Sequence, residues 1–252
     1  MSEPKHIVAI SGGKDSCAMA LRLAETEPRD YEFICTPTGN ELPEMVEHWR
    51  RLRDLLGYPL RAVVATRDLL AQARKQNCIP NSRMRWCTRT LKLDPYKSYL
   101  LSNLPCIAYV GIRADEVGHD RPSRGVDWEK HDGVTLRYPL VEWGWGVTQV
   151  YKYLEEREVV IPRRTDCALC FYQTLGEWFM LWRDHRDEYE KGVELEAEIG
   201  HTFRSDSRDT WPAGLAPLAA RFSAGFTPRG AAQDEFNLGV HSRKAMCSFC
   251  AR

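Results

Sequence analysis

The segment that most constrains this chain is Ser11-Gly12-Gly13-Lys14-Asp15-Ser16. It lies between a short apolar run, His6 to Ile10, and a stretch from Ser16 to about Ala24 whose apolar residues (Ala18, Met19, Leu21, Leu23) follow helical spacing. Strand, glycine turn and helix in that order begin a parallel α/β unit. The glycines permit positive φ and let backbone N–H groups approach an oxyanion. The helix that follows points its partial positive end at the same place. Lys14 adds a cation and the serines add hydroxyl donors, while Asp15 either holds a magnesium ion or orients the loop. The spacing matches neither Gly-x-x-x-x-Gly-Lys-Ser/Thr nor Gly-x-Gly-x-x-Gly. The bland alternative is a Ser-Gly turn that caps a helix.

The pattern then repeats. Tyr31 to Thr36 reads as a second strand, Leu42 to Leu56 as a helix, Arg61 to Ala65 as a third strand, Asp68 to Lys75 and Thr90 to Asn103 as helices, and Cys106 to Ile112 as a buried strand. Strands alternating with helices predict a doubly wound parallel sheet, whose ligands sit at the carboxyl ends of the strands. The turn at 11–16, Gly39 to Glu44 and Gly111 to Glu116 each follow a strand and are expected to line one crevice. The second half reads differently. An amphipathic helix covers Val147 to Glu156, a long one Leu175 to Ile199, and a Gly-, Pro-, Ser- and Arg-rich tail begins at His201. The expected organisation is a nucleotide-binding domain over 1–160 and a helical, cysteine-containing region over 161–252.

The hexad resembles the PP-loop of the adenine nucleotide α-hydrolase-like superfamily. Further segments narrow the resemblance to the PAPS reductase family: Thr38-Gly39-Asn40-Glu41-Leu42-Pro43-Glu44, Trp86-Cys87-Thr88-Arg89-Thr90-Leu91-Lys92, Gly111-Ile112-Arg113, and Pro139-Leu140-Val141-Glu142-Trp143 followed by Val150 and Tyr153-Leu154. They fall in family order over roughly residues 6 to 172. The resemblance implies a five-stranded parallel sheet. It also implies an adenine nucleotide, either ATP or a sulfonucleotide (PAPS or APS), held by Ser11, Gly12, Gly13, Lys14, Asp15, Ser16, Thr38, Gly39, Arg89, Lys92, Gly111 and Arg113. Lys14, Asp15, Cys87 and Arg113 are the candidates for chemistry.

Nine cysteines are present. Cys17, Cys35, Cys78, Cys87 and Cys106 are isolated, whereas Cys167/Cys170 and Cys247/Cys250 form two C-x-x-C pairs, a pattern suited to zinc or an iron–sulfur cluster. In the cluster-bearing relatives a Cys-Cys pair matches positions 86–87. Here Trp86 stands first, so the resemblance implies Cys87, Cys167 and Cys170 as three corners of a 4Fe–4S cluster, the fourth being Cys247 or Cys250 or left open. The alternative is structural zinc on the two pairs with Cys87 free near the nucleotide. The reductases' Glu-Cys-Gly-x-His tail is absent: residues 245–250 read Ala-Met-Cys-Ser-Phe-Cys.

Arg83, Arg85, Arg89 and Lys92 make a basic cluster around Cys87. Asp115 and Glu116 are candidates for magnesium, His119 to Arg124 for a lid, and Arg204 with Arg208 for a polynucleotide grip. Trp178 and Trp182, one turn apart, point to core packing. Lys plus Arg equals Asp plus Glu, 35 each, which argues against a protein that coats nucleic acid through bulk charge. No apolar run reaches the roughly 20 residues of a membrane helix, the amino-terminus reads as no signal peptide, and the cytoplasm is the expected compartment.

Three functions follow. The first is a PP-loop ATP pyrophosphatase or adenylyl-transfer enzyme in sulfur transfer or nucleic-acid modification, with a tRNA or DNA substrate and a sulfur donor as candidate partners. The second is a PAPS or APS reductase working with thioredoxin. The third is a non-catalytic nucleotide-binding protein with a zinc tail.

Overall fold

The computed structural model describes residues 3–117, 131–206 and 209–228. Cys247, Cys250, His119 to Arg124 and Arg208 lie outside them. Five strands, β1 (Lys5–Ala9), β2 (Tyr31–Cys35), β3 (Leu60–Ala62), β4 (Cys106–Tyr109) and β5 (Val134–Arg137), form one all-parallel sheet in the order β3-β2-β1-β4-β5. The expected doubly wound α/β fold is therefore present. The chain runs outward from β1 through β2 to β3 and resumes on the other side of β1 with β4. The strand order reverses between β1 and β4, and such a switch point opens a crevice at the strands' carboxyl ends.

Helix α1 (Lys14–Thr26) follows β1, and its side chains from Lys14 to Leu21 are buried together with Leu23. Such burial on nearly every side marks a helix enclosed by its neighbours. They are α2 (Pro43–Leu56), α6 (Pro139–Glu142) and α7 (Val147–Glu156). Helix α2 buries Met45, His48, Leu52 and Leu56, while Val46 and Leu55 are exposed. Helix α3 (Leu69–Gln76) starts at Asp68, whose carboxylate accepts the Ala71 N–H (2.7 Å).

Several elements differ from expectation. β3 is three residues long rather than five. The helix foreseen over 90–103 is a short turn α4 (Trp86–Thr88), a π-helical stretch Arg89–Leu93, and α5 (Asp94–Leu101). Pro95 has no N–H to give to Leu91, so a regular α-turn cannot run through this point. The single helix foreseen over 175–199 is two, α8 (Leu175–Asp184) and α9 (Arg186–Ile199), because His185 leaves helical geometry (φ −132°, ψ 60°). Asp187 and Glu188 suit the new N-terminus. The break lets Tyr189, Gly192 and Leu195 face the core. Gly192 sits so close to Leu169 and Leu215 that a Cβ there would lie 2.7 Å and 2.8 Å from them. The tail that read as loop carries α10 (Leu215–Ser223), with Leu215, Leu218 and Phe222 buried.

One apolar cluster joins the two halves of the sequence: Leu42, Leu69, Ala73, Ile79 and Leu91 pack with Ala168, Leu169, Trp178, Tyr189, Leu195, Leu215 and Phe222. Trp178 is fully buried, in line with its expected core role. Polar tethers accompany this core. Glu196 accepts the N–H groups of Phe203 (2.8 Å) and Leu215 (2.6 Å), and Arg74 pairs with Glu198 (2.6 Å). No helix among the described residues is long and apolar enough to cross a membrane.

Because this core draws on both halves, Trp178→Ala is expected to lower the midpoint of one cooperative urea transition, corresponding to a loss of about 3–5 kcal/mol in unfolding free energy. Two separated transitions, monitored by circular dichroism, would show that the halves unfold independently.

Candidate functional site

The switch-point crevice lies between the loop after β1 and the loop after β4. Gly111 packs so closely on α1 that a Cβ there would lie 3.2 Å from the backbone of Ser16. Gly12 has φ +85°, and a Cβ would fall 1.9 Å from Met45 Cε and 2.8 Å from Trp49 Nε1. The first glycine of the loop is thus required by both its backbone and the floor beneath it. Ser11 and Ser16 brace the turn: the hydroxyls lie 3.0 Å apart, Gly13 N–H donates to Ser11 Oγ (3.2 Å), and Ser16 Oγ donates to the Gly13 carbonyl (3.0 Å). The first-turn amides of α1 have no intrahelical acceptors, the arrangement by which a helix N-terminus can take an anion.

Lys14 and Asp15 are buried at 2% and 5% exposure, as is Arg113 at 5%. Asp15 Oδ2 is shared by Lys14 Nζ (3.2 Å) and Arg113 Nη1 (2.8 Å), while Asp15 Oδ1 is buried without a hydrogen-bond partner. Arg113 also reaches Asp115 (2.8 Å) and Glu116 (3.6 Å). Burial works against its charge, but the facing carboxylates of Asp15 and Glu116 prevail and hold its pKa above the ordinary value. Asp115 is partly desolvated. The Val147 N–H (2.9 Å), at the start of α7, and Arg113 nevertheless keep its carboxyl below the usual range. From α7, Tyr151 places its ring 5.9 Å from Lys14 Nζ; burial and then the Asp15 charge push its phenol up.

Thr38 to Glu41 follow β2, the strand paired with β1. Glu41 turns back on its own loop, accepting from Thr38 N–H (2.7 Å), Thr38 Oγ1 (2.7 Å) and Gly39 N–H (3.0 Å). Gly39 has φ +76° and abuts Asp68. The first C-x-x-C is fastened to this loop: Ala168 N–H donates to the Asn40 carbonyl (2.6 Å), Leu169 N–H to Asn40 Oδ1 (2.9 Å), and Cys167 Sγ lies 3.1 Å from Thr38 Oγ1. Arg164 and the buried Gln173 brace the other side through the carbonyls of Cys167 and Ala168. Burial raises the Cys167 thiol to about 11, with nearby Lys92 acting the other way. Burial raises Cys87 as well, again opposed by Lys92, and raises Cys170 further, helped by the Asp166 charge.

The structure therefore brings together Ser11, Gly12, Gly13, Lys14, Asp15, Ser16, Gly111 and Arg113. Thr38 and Gly39 lie in the loop after β2 with their N–H groups already bonded to Glu41. Lys92 faces the thiols of Cys87 and Cys167, whereas Arg89 is exposed and ion-paired with Asp94 at 3.9 Å. Arg85 lies over the Tyr172 ring (5.3 Å). Arg204, foreseen as a phosphate grip, is buried and bonded to Asp209 and the Pro212 carbonyl. No three Cys, His, Asp or Glu side chains among the described residues converge to hold a metal ion.

Sequence reasoning missed His48, Asn40, Glu41 and Tyr151. His48 is buried, with Nε2 3.0 Å from the Gly12 carbonyl oxygen and 3.5 Å from Cys17 Sγ. The helical series 45, 48, 52, 56 would have exposed it. Asn40 and Glu41 carried no signal beyond their loop.

A five-stranded parallel sheet with a glycine–lysine–aspartate loop at its switch point defines a class of anion-binding α/β proteins. Residues 5–179 match the phosphoadenosine phosphosulfate reductase domain, and the chain belongs to that family. Two uncharacterized proteins of Methanocaldococcus jannaschii are similar. One is 22% identical over 194 residues, 73% of this chain and 40% of its own length. The other is 23% identical over 214 residues, 81% of this chain and 50% of its own. The chain thus spans half or less of these relatives. A crystal structure of phosphoadenylyl-sulfate reductase from Candida auris, in complex with phosphate, aligns with a TM-score of 0.48 and 17% identity, covering 64% of this chain and 76% of that one.

Burial lowers His48 to about 4, with Arg51 acting the same way and the Gly12 carbonyl opposing. The unfolded chain binds a proton at this residue from about pH 6.5 down, whereas the folded chain does so only near pH 4. Stability from this group is therefore complete above pH 6.5 and declines as pH falls toward 4. Glu196, raised to about 7 by burial, drifts the opposite way. The comparison is accordingly between wild type and His48→Gln: the urea midpoint of wild type should fall further on acidification from pH 6.5 to 4.5. Parallel pH profiles would contradict the buried, neutral imidazole.

Proposed function

We propose that this chain binds ATP at the loop 11–16 and cleaves it at the α-phosphate, transferring adenylate to an acceptor and releasing pyrophosphate, in sulfur transfer or nucleic-acid modification. Family membership supports nucleotide binding. The observation that carries the finer reading is the buried Lys14–Asp15–Arg113 cluster beside the amides of α1. An acceptor oxygen attacks the α-phosphorus, the bond to the β-phosphate breaks, and Lys14 and Arg113 stabilise the charge gathering on the equatorial and leaving oxygens. The α1 N-terminus and the loop amides orient the phosphates, and Tyr151 and the Thr38–Glu41 loop narrow the crevice.

A magnesium ion fits this donor set. Asp15 Oδ1 is a buried carboxylate oxygen without a partner, and magnesium is usually held by one or two carboxylates plus substrate phosphates. Bound there, it would supply charge neutralisation; Asp15 would hold it. The cysteines fit less well: Cys87, Cys167 and Cys170 do not by themselves make a metal-binding group. They are proposed as the sulfur-handling side of the crevice, with zinc or a 4Fe–4S cluster requiring further ligands, for which Cys247 and Cys250 are the candidates. A tRNA or DNA acceptor, a sulfur donor and a cytoplasmic location belong to the same proposal.

A second reading, reduction of PAPS or APS to sulfite with thioredoxin, is favoured by the family itself. The two are separable. With ATP, magnesium and candidate acceptors, pyrophosphate release is expected in wild type and a drop of about 100-fold or more in Lys14→Ala, the scale for removing one charge-stabilising donor. Sulfite release from PAPS or APS with reduced thioredoxin, and no pyrophosphate from ATP, would replace the first reading with the second.

A further inference from the structure

The phosphate loop has a floor, and one polar group in it is hydrogen-bonded to the loop backbone. Helix α2 supplies Met45, His48 and Trp49 beneath Gly12. Met45 Cε makes an apolar contact of the kind a tight turn needs, and Trp49 brings its indole Nε1, a buried donor that makes no hydrogen bond among the described residues. The third is an imidazole buried to 4% exposure, with Nε2 3.0 Å from the Gly12 carbonyl oxygen. A carbonyl can only accept, so Nε2 carries the proton and donates. Cys17 Sγ, 3.5 Å from the same nitrogen, sits on the edge of this bond. The low pKa of the ring, near 4, keeps it neutral at ordinary pH, so it has one ring proton to place.

The orientation of one peptide plane follows. In a trans peptide the C=O and the next N–H point in opposite directions. Drawing the Gly12 carbonyl down to α2 turns the Gly13 N–H up, toward Ser11 Oγ at 3.2 Å and the open side of the loop, Ser11 being solvent-exposed. Flipped, the same plane would present an oxygen to an incoming oxyanion. Glycine at both positions lowers the barrier to such a flip; Ser11 Oγ restrains the N–H end of the plane and His48 the carbonyl end.

The geometry points to His48 as a positioning residue for the anion site: its Nε2–H bond to the Gly12 carbonyl fixes the Gly12–Gly13 peptide with its N–H facing the phosphates of the ligand. The inference rests on the reading of residues 11–16 as a phosphate loop. It adds that α2, which touches no ligand, sets the loop's donor direction. Met45 has no donor to do this, and the Trp49 indole N–H makes no hydrogen bond to the loop.

The test is titration calorimetry with inorganic pyrophosphate and with ATP, each with magnesium, on wild type, His48→Gln, His48→Asn and His48→Leu. Glutamine places an amide nitrogen near the position of Nε2. Asparagine keeps the polarity but is too short to reach. Leucine removes the donor. Affinity is expected to fall about tenfold or more in the Asn and Leu variants and to return to within about threefold in the Gln variant, the scale of one oriented hydrogen bond. The Asn–Gln comparison stands even if the Leu variant does not fold. Equal affinity across all four proteins, or equal loss in Gln and Asn, would overturn the role of His48 while leaving the loop as an anion site. No binding of either probe by wild type would instead remove the phosphate-loop reading on which the inference stands.

Discussion

The Asp15 carboxylate, shared by Lys14 and Arg113, is the contact on which the site depends. It closes the switch point from both sides: Lys14 and Asp15 come from the chain leaving β1, and Arg113 from the chain leaving β4. Buried charges are tolerated only when paired, and losing one partner strands the other at a cost of several kcal/mol. The triad therefore does more than present cations. It makes the spacing of the two central strands' loops part of the folded state. Gly111, which lets β4's loop lie against Ser16, is the steric counterpart of the same closure.

The second half of the chain enters the site through one loop. Asn40 gives its carbonyl and side-chain oxygen to Ala168 and Leu169, and its amide to Glu188 on α9 (3.1 Å). Glu41 folds the preceding Thr38–Gly39 backbone around its own carboxylate. A short loop after β2 thus holds the C-x-x-C segment against the crevice and leads directly into α2, the floor of the phosphate loop. Thiols and phosphate amides are placed by neighbouring stretches of one continuous chain, residues 38 to 56. Their relative placement is a property of the core rather than of a hinged appendage, because Leu42, Leu69 and Leu91 pack with Leu169 and Trp178.

The fold was largely legible because its signals are local. The apolar run before the glycines and the helical spacing after them give β1 and α1, and the alternation gives the parallel sheet. What was lost depended on tertiary context. β5 has only Val134 buried, so no apolar run announces it. The break at His185 arises from how α9 packs, and α10 lies in a composition that reads as loop. On α2 the apolar Val46 and Leu55 are exposed, whereas burial follows 45, 48, 52 and 56. His48 falls on that stripe by spacing alone, its side chain being polar. At the site, Lys14, Asp15 and Arg113 were readable from the loop and from the strand-end Gly-x-Arg. The engagement of Thr38 and Gly39 by Glu41 was not, since it needs the turn's geometry.

Charge balance bears on how such a crevice takes a polyphosphate. Lys14 and Arg113 face three carboxylates, those of Asp15, Asp115 and Glu116. A bare polyanion arriving there meets cations already neutralised, and a buried Asp15 whose second oxygen lacks a donor. Two of the carboxylates are fixed by other duties: Asp115 accepts the Val147 N–H at the start of α7, and Glu116 accepts the Arg113 N–H (3.3 Å). Asp15 is the carboxylate that Lys14 and Arg113 share. Its two cations can turn to the phosphates only if Asp15 is itself satisfied by another positive charge, since an unpaired buried carboxylate costs more than an exchanged ion pair returns. A nucleotide that brings its own divalent cation meets this condition, and a free phosphate ester does not. The electrostatics at the Asp15 carboxylate support the proposal of ATP accompanied by magnesium.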